Sequence, residues 1–93
     1  MTKNEPGKFD CHAKAADDEP LFTLRAKDPI APAMVRAWRF IRAGELVKAV
    51  HEMGKATRAL EASGRPLLPL DCEKSAEAQA CSSAMEAWRT KQE

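Results

Sequence analysis

The sequence predicts an all-α protein: a short N-terminal helix, then a long kinked helix and a second, antiparallel helix forming a helical hairpin, assembled as an oligomer. Three observations support this. Apolar residues recur every three or four positions from Met34 to Leu60, the period of a helix with one buried face. Helix start and stop residues bracket that run: Asp28-Pro29 before it, Ser63-Gly64 after it, and Asp71 ahead of a last helix. Only one short segment, Leu21-Phe22-Thr23-Leu24, has a strand-like pattern, and it has no second strand to pair with.

Residues 1–7 contain Pro6 and Gly7 and read as a flexible tail. Residues 8–16, KFDCHAKAA, have the composition of two helical turns, which Asp17-Asp18-Glu19 and Pro20 then close. Leu21, Phe22 and Leu24 form a short extended apolar staple. The long helix starts between Asp28 and Pro32, because proline is tolerated only where no backbone donor is required. Met34, Trp38 and Ile41, then Leu46, Val50, Met53, Thr57 and Leu60, carry its apolar period. Ala43-Gly44 interrupts the run, and a mid-helix glycine costs about 1 kcal/mol relative to alanine, so a kink or short break is expected there. Gly64 is placed for a left-handed C-cap, and Pro66 and Pro69 keep the next segment non-helical. Asp71 is the expected cap of a final helix over about 72–91, with Ala76, Ala80, Ala84 and Trp88 as its close-packing stripe and Cys81 and Met85 beside it.

The 93 residues suit a single domain, 1–93, with little capacity for a core of its own. Trp38, Phe40 and Ile41 span more than one face of the long helix, as do Leu46, Val47 and Val50. Burial on two sides with one partner helix in the chain predicts that another subunit covers the second side.

Charge and cysteine content narrow the function. A net charge of +1 argues against a dedicated binder of duplex nucleic acid, and equally against an acidic mimic of it. Lys8, Lys14, Arg25, Lys27, Arg36, Arg39 and Arg42 nevertheless crowd the first half, enough for a small anionic ligand. The three cysteines form no C-x-x-C and suit a reducing cytosol. No apolar run has the length of a membrane span, and the first residues have no secretory character.

No catalytic constellation stands out. His12 and His51 are the only histidines, and no serine or cysteine sits in a nucleophile motif with them. Cys11-His12 with Cys72 or Cys81 makes an incomplete zinc set, and Asp17-Asp18-Glu19 lacks the rest of a calcium loop. The isolated glycines make no phosphate loop. Arg25 and Lys27, just ahead of a helix N-terminus, are the clearest anion-attracting pair. Binding without catalysis, metal or cofactor is the expectation.

Two segments carry a resemblance. Residues 8–40, with Asp18-Glu19-Pro20-Leu21-Phe22, Leu24 through Pro29, Ala31-Pro32, Val35-Arg36 and Trp38, are similar to a family of small phage proteins. Ala84-Met85-Glu86-Ala87-Trp88 continues the likeness near the end of the chain, and together these cover about half of it. The family shares a helical-hairpin domain and sequesters the nucleotide signals of bacterial immunity, acting as anti-CBASS and anti-Thoeris sponges. The resemblance implies a homohexamer in the host bacterial cytoplasm that binds cyclic dinucleotides between paired subunits without cleaving them. It implies a site made by a base-stacking tyrosine in the N-terminal helix and a lysine before the long helix. Lys27 matches the lysine, and an ungapped count places His12 at the tyrosine position in a chain with no tyrosine. Arg25 and Cys11 lie beside those two and complete the expected ligand site, with Cys11 or Phe9 as the replacement if the count is out of register. The resemblance further implies a pocket for cyclic trinucleotides on the last helix, with Lys74 and Ser82 as its residues. The competing expectation is a helical adaptor or inhibitor that binds a host protein through its apolar face; an enzyme ranks third.

Overall fold

The computed structural model describes residues 1–93. It is all-helical, as the periodicity predicts: α1 Cys11–Lys14, α2 Ala31–Arg42, α3 Leu46–Ser63 and α4 Glu73–Gln92, with no strand. The chain divides into two compact units. One joins Met1–Phe22 to Leu70–Glu93; the other is the continuous stretch Thr23–Pro69.

In the continuous unit, the expected long kinked helix is two helices. Gly44 takes φ +78, and its N–H donates to the Ile41 carbonyl at 3.0 Å while Glu45 N–H donates to Phe40 at 2.9 Å. That pair of bonds is a Schellman cap, which ends α2 with its last carbonyls satisfied. α3 starts two residues later, so the hairpin lies inside the segment that reads as one helix. The start of α2 falls at Ala31, within the predicted interval. Asp28 accepts from Ile30 N–H through its carboxylate (3.1 Å) and from Ala31 N–H through its carbonyl (3.0 Å). Pro32 then occupies an early helical position where its missing donor costs nothing. Gly64 closes α3 in the left-handed conformation, as its type and place predict.

α2 and α3 pack on alanines: Ala31, Ala33 and Ala37 from one helix, Ala49 and Ala56 from the other. Small side chains let the two backbones approach closely but bury little apolar area. The buried Glu52 sits among them and binds Arg36 at 2.9 Å and Lys55 at 3.3 Å. Arg36 and Glu52 are equidistant from Gly44, so the helices run antiparallel about that turn. At roughly 100° per residue, this register sorts the remaining side chains onto opposite sides of the hairpin. Arg36, Phe40, Lys48, Glu52 and Lys55 lie on one side, as the ion pairs and the approach of Lys48 to Phe40 show. Val35, Trp38, Ile41, Leu46, Val50 and Met53 lie on the other, all exposed.

In the other unit, α1 is a single turn rather than the two expected over 8–16. Asp10 caps it, accepting from His12 and Ala13 N–H. It ends because Ala15 is extended and a turn takes over, in which Glu19 N–H donates to the Ala16 carbonyl and the Glu19 carboxylate accepts from Ala16 N–H at 3.2 Å. The following arm, non-helical as predicted, runs antiparallel to α4. The Cys81 thiol donates to the Leu21 carbonyl at 3.5 Å, Trp88 Nε1 donates to Asp18 at 3.3 Å, and Lys91 pairs with the same carboxylate at 3.7 Å. Two expectations for α4 need correction. Its N-cap is Cys72, not Asp71, and no side chain caps it. Its half-buried face is Cys72, Ser75, Ala78, Cys81, Met85 and Trp88, leaving Ala76, Ala80 and Ala84 exposed, because the arm lies against the Cys81 and Trp88 side. No helix is long and apolar enough to cross a membrane.

Candidate ligand-binding site

An open depression of about 370 Å³ lies in the unit that holds α1, lined by Phe9, Cys11, Lys14, Ala15, Glu19 and Leu21. Local capping sets its shape. Asp10 holds the single turn of α1, which projects Lys14 back toward the residue preceding Phe9: Lys14 Nζ donates to the Lys8 carbonyl at 3.4 Å. The Phe9 ring is 65 % exposed, and the ammonium groups of Lys8 and Lys14 stand 5.7 and 5.4 Å from its centroid. Cys11 points its thiol at the Phe9 carbonyl, 3.8 Å away. An aromatic surface beside two cations can stack a flat base and neutralise a phosphate in the same place. The Glu19 carboxylate, on the rim, is occupied by the Ala16 N–H.

The residues predicted from sequence are distributed as follows. Cys11 lines the depression; His12, next to it on α1, is exposed and does not. Arg25 and Lys27 are exposed in the turn that leads into α2, where the Arg25 carbonyl accepts from Asp28 N–H at 2.9 Å. They belong to the other compact unit. At the helix entrance beside them the Asp28 carboxylate accepts from Ile30 N–H at 3.1 Å. Lys74 and Ser82 are both exposed on α4, about 12 Å apart along its axis, and the Ser82 hydroxyl donates to the Gln79 carbonyl at 2.8 Å. No three His, Cys, Asp or Glu side chains gather to hold a metal ion.

Phe9 with Lys8 and Lys14 is a group that the sequence shows only in pieces. Phe9 enters there as a replacement for His12, and the two lysines enter as part of a general basic bias. The signal is an aromatic residue close to two lysines, but only the capped turn brings Lys14 to the ring. Compared with protein-family models, curated proteins and solved structures, the chain matches none.

Proposed function

We propose that the protein is a phage immune-evasion factor that sequesters cyclic dinucleotide signals of bacterial CBASS immunity and stores them uncleaved. The observation that carries this is the Phe9 ring with its two ammonium neighbours at the open depression. A cyclic dinucleotide presents two flat bases and two phosphates, the groups this arrangement attracts. The resemblance of residues 8–40 and 82–91 to the sponge family supports the same reading. On it, Cys11 and His12 contact the ligand beside Phe9, Lys27 and Arg25 supply further cations, and Lys74 with Ser82 serve a cyclic trinucleotide. The working form is a homo-oligomer, a hexamer by the resemblance, in which a second copy covers the exposed Val35, Trp38, Ile41, Leu46, Val50 and Met53 side of the hairpin.

The test is a thermal-shift series with cyclic di- and trinucleotides, followed by chromatography of ligand released on heating. A ligand at a hundredfold excess over its Kd stabilises the fold by about 2.7 kcal/mol. A raised melting temperature with intact ligand recovered supports the proposal; linear products with turnover would make the protein an enzyme. The same exposed apolar side favours a second reading, an adaptor that binds a host protein through it. An adaptor would leave the melting temperature unmoved across the whole series.

A further inference from the structure

The near-neutral total charge conceals a separation between the two units. Thr23–Pro69 holds nine basic and four acidic residues, whereas the remainder of the chain holds six basic and ten acidic. Within the basic unit the charge is further ordered. Lys48, His51, Lys55 and Arg58 recur at helical spacing along α3 and are all exposed. With 1.5 Å of rise per residue they form a row about 15 Å long, one side chain about every 5 Å. Arg36 and Arg39 of α2 extend the row across the hairpin: Arg36 reaches Glu52, and Arg39 and Lys48 approach the Phe40 ring from 5.1 and 5.9 Å. α2 contains no acidic residue, Glu52 is buried, and Glu45 and Glu61 are exposed at the two ends of the row. Arg36 and Lys55 share the Glu52 charge, and with Arg39, Lys48 and Arg58 the row keeps a net positive charge.

We infer that this side of the α2–α3 hairpin is an interaction surface for a single strand of nucleic acid, contacted through its phosphates. A row of basic side chains of this length suits the phosphates of a few nucleotides rather than a duplex footprint. Arg36 and Arg39 add planar donors suited to phosphate oxygens. The row shares no residue with the depression at Phe9 or with the apolar side of the hairpin, so it stands or falls independently of the proposed nucleotide storage.

The experiment is fluorescence anisotropy with labelled oligothymidylate and oligouridylate on the full chain. Neutralising about four phosphates of a single strand predicts a loss of affinity of about 50-fold between 50 and 200 mM salt. Lys48→Glu with Arg58→Glu, neither of which touches Glu52, should weaken binding at least about tenfold with helicity unchanged. Lys3→Glu with Arg89→Glu alters net charge equally and should leave affinity within about twofold. If the first pair melts early, Lys48→Gln with Arg58→Gln removes charge without adding repulsion and should still weaken binding. No measurable binding at low salt overturns the inference, as does an equal loss in both charge-reversed pairs. Displacement of the oligonucleotide by polyglutamate as readily as by unlabelled strand would mark an acidic protein as the partner instead. Displacement by a cyclic dinucleotide would assign the signal to the Phe9 depression; failure of cyclic dinucleotides to bind at all, with oligonucleotide binding retained, would sink only the storage function.

Discussion

Glu52 is the one charged side chain buried in the hairpin, and its environment makes a pH prediction. The hydrogen bond from Arg36 holds its carboxyl below the ordinary value of 4.5, with Lys55 acting in the same direction and burial opposing both. A depressed folded value means the unfolded chain takes up protons first as pH falls. The stabilising contribution is therefore complete above about 4.5 and is lost as pH drops through the folded value. Glu52→Gln should melt below the parent at neutral pH, and the gap should close in acid; a pH series of melting curves decides it. At the proposed ligand site, Phe9→Ala should weaken cyclic dinucleotide binding by roughly the 1–3 kcal/mol of a lost base stack. Calorimetry on that variant beside His12→Ala and His12→Tyr separates the two rings: if Phe9 carries the stack, both His12 variants keep near-parent affinity. Lys27→Ala extends the comparison, with weaker binding and an unchanged fold expected. Glu52 was not legible in the sequence, where it is one glutamate among lysines. Its burial depends on the alanine packing around it, which only the antiparallel register creates.

Among the helices, two glycines of similar appearance have opposite roles. Gly44 takes a positive φ, and a Cβ there would meet nothing within 4 Å, so Gly44→Ala meets backbone strain alone and should cost about 1 kcal/mol. Gly54 is helical, and a Cβ there would meet only the Arg58 Nη1 end of a flexible side chain at 3.4 Å, so Gly54→Ala should stabilise by about 0.5–1 kcal/mol. Denaturant melts of both variants check the signs. The pair also marks a limit of reading from sequence. A glycine inside an apolar period reads the same whether it bends a helix or ends one. At Gly44 the Schellman bonds end it, and the alanines on either side let the chain fold back. Gly64 was legible because Ser63 and two prolines agree with it. The face of α4 was not: an alanine stripe and the Cys81–Trp88 face are neighbours on the same helix, and only the arm selects between them.

For the whole molecule, all-helical architecture was legible because the apolar period and the cap residues agreed, whereas the division into two units was not. It joins segments from opposite ends of the chain, and no local pattern encodes that. The proposed homo-oligomer makes its own prediction. Trp38 is 64 % exposed and Val50 63 %, so replacing either with glutamate should leave each hairpin folded. Light scattering should give an oligomer for the parent and a smaller species for Trp38→Glu and Val50→Glu, with helical content retained. A monomer mass for the parent would remove the oligomer. The net charge of +1 argued against duplex binding, yet an average over oppositely charged units says little about either one.

The arm and α4 are partners 60 and 70 residues apart in sequence, with the entire hairpin unit between them. This has a consequence for the chain while it is being made. The hairpin is continuous and completes its pairing as soon as it emerges from the ribosome. The arm emerges earlier and waits, with the Leu21 carbonyl and the Asp18 carboxylate unpaired, until Cys81 and Trp88 follow it. At about 5–20 residues per second that interval is roughly 4 to 14 seconds. A nascent chain stalled before α4 would therefore present a finished hairpin beside an arm with nothing yet to hold it.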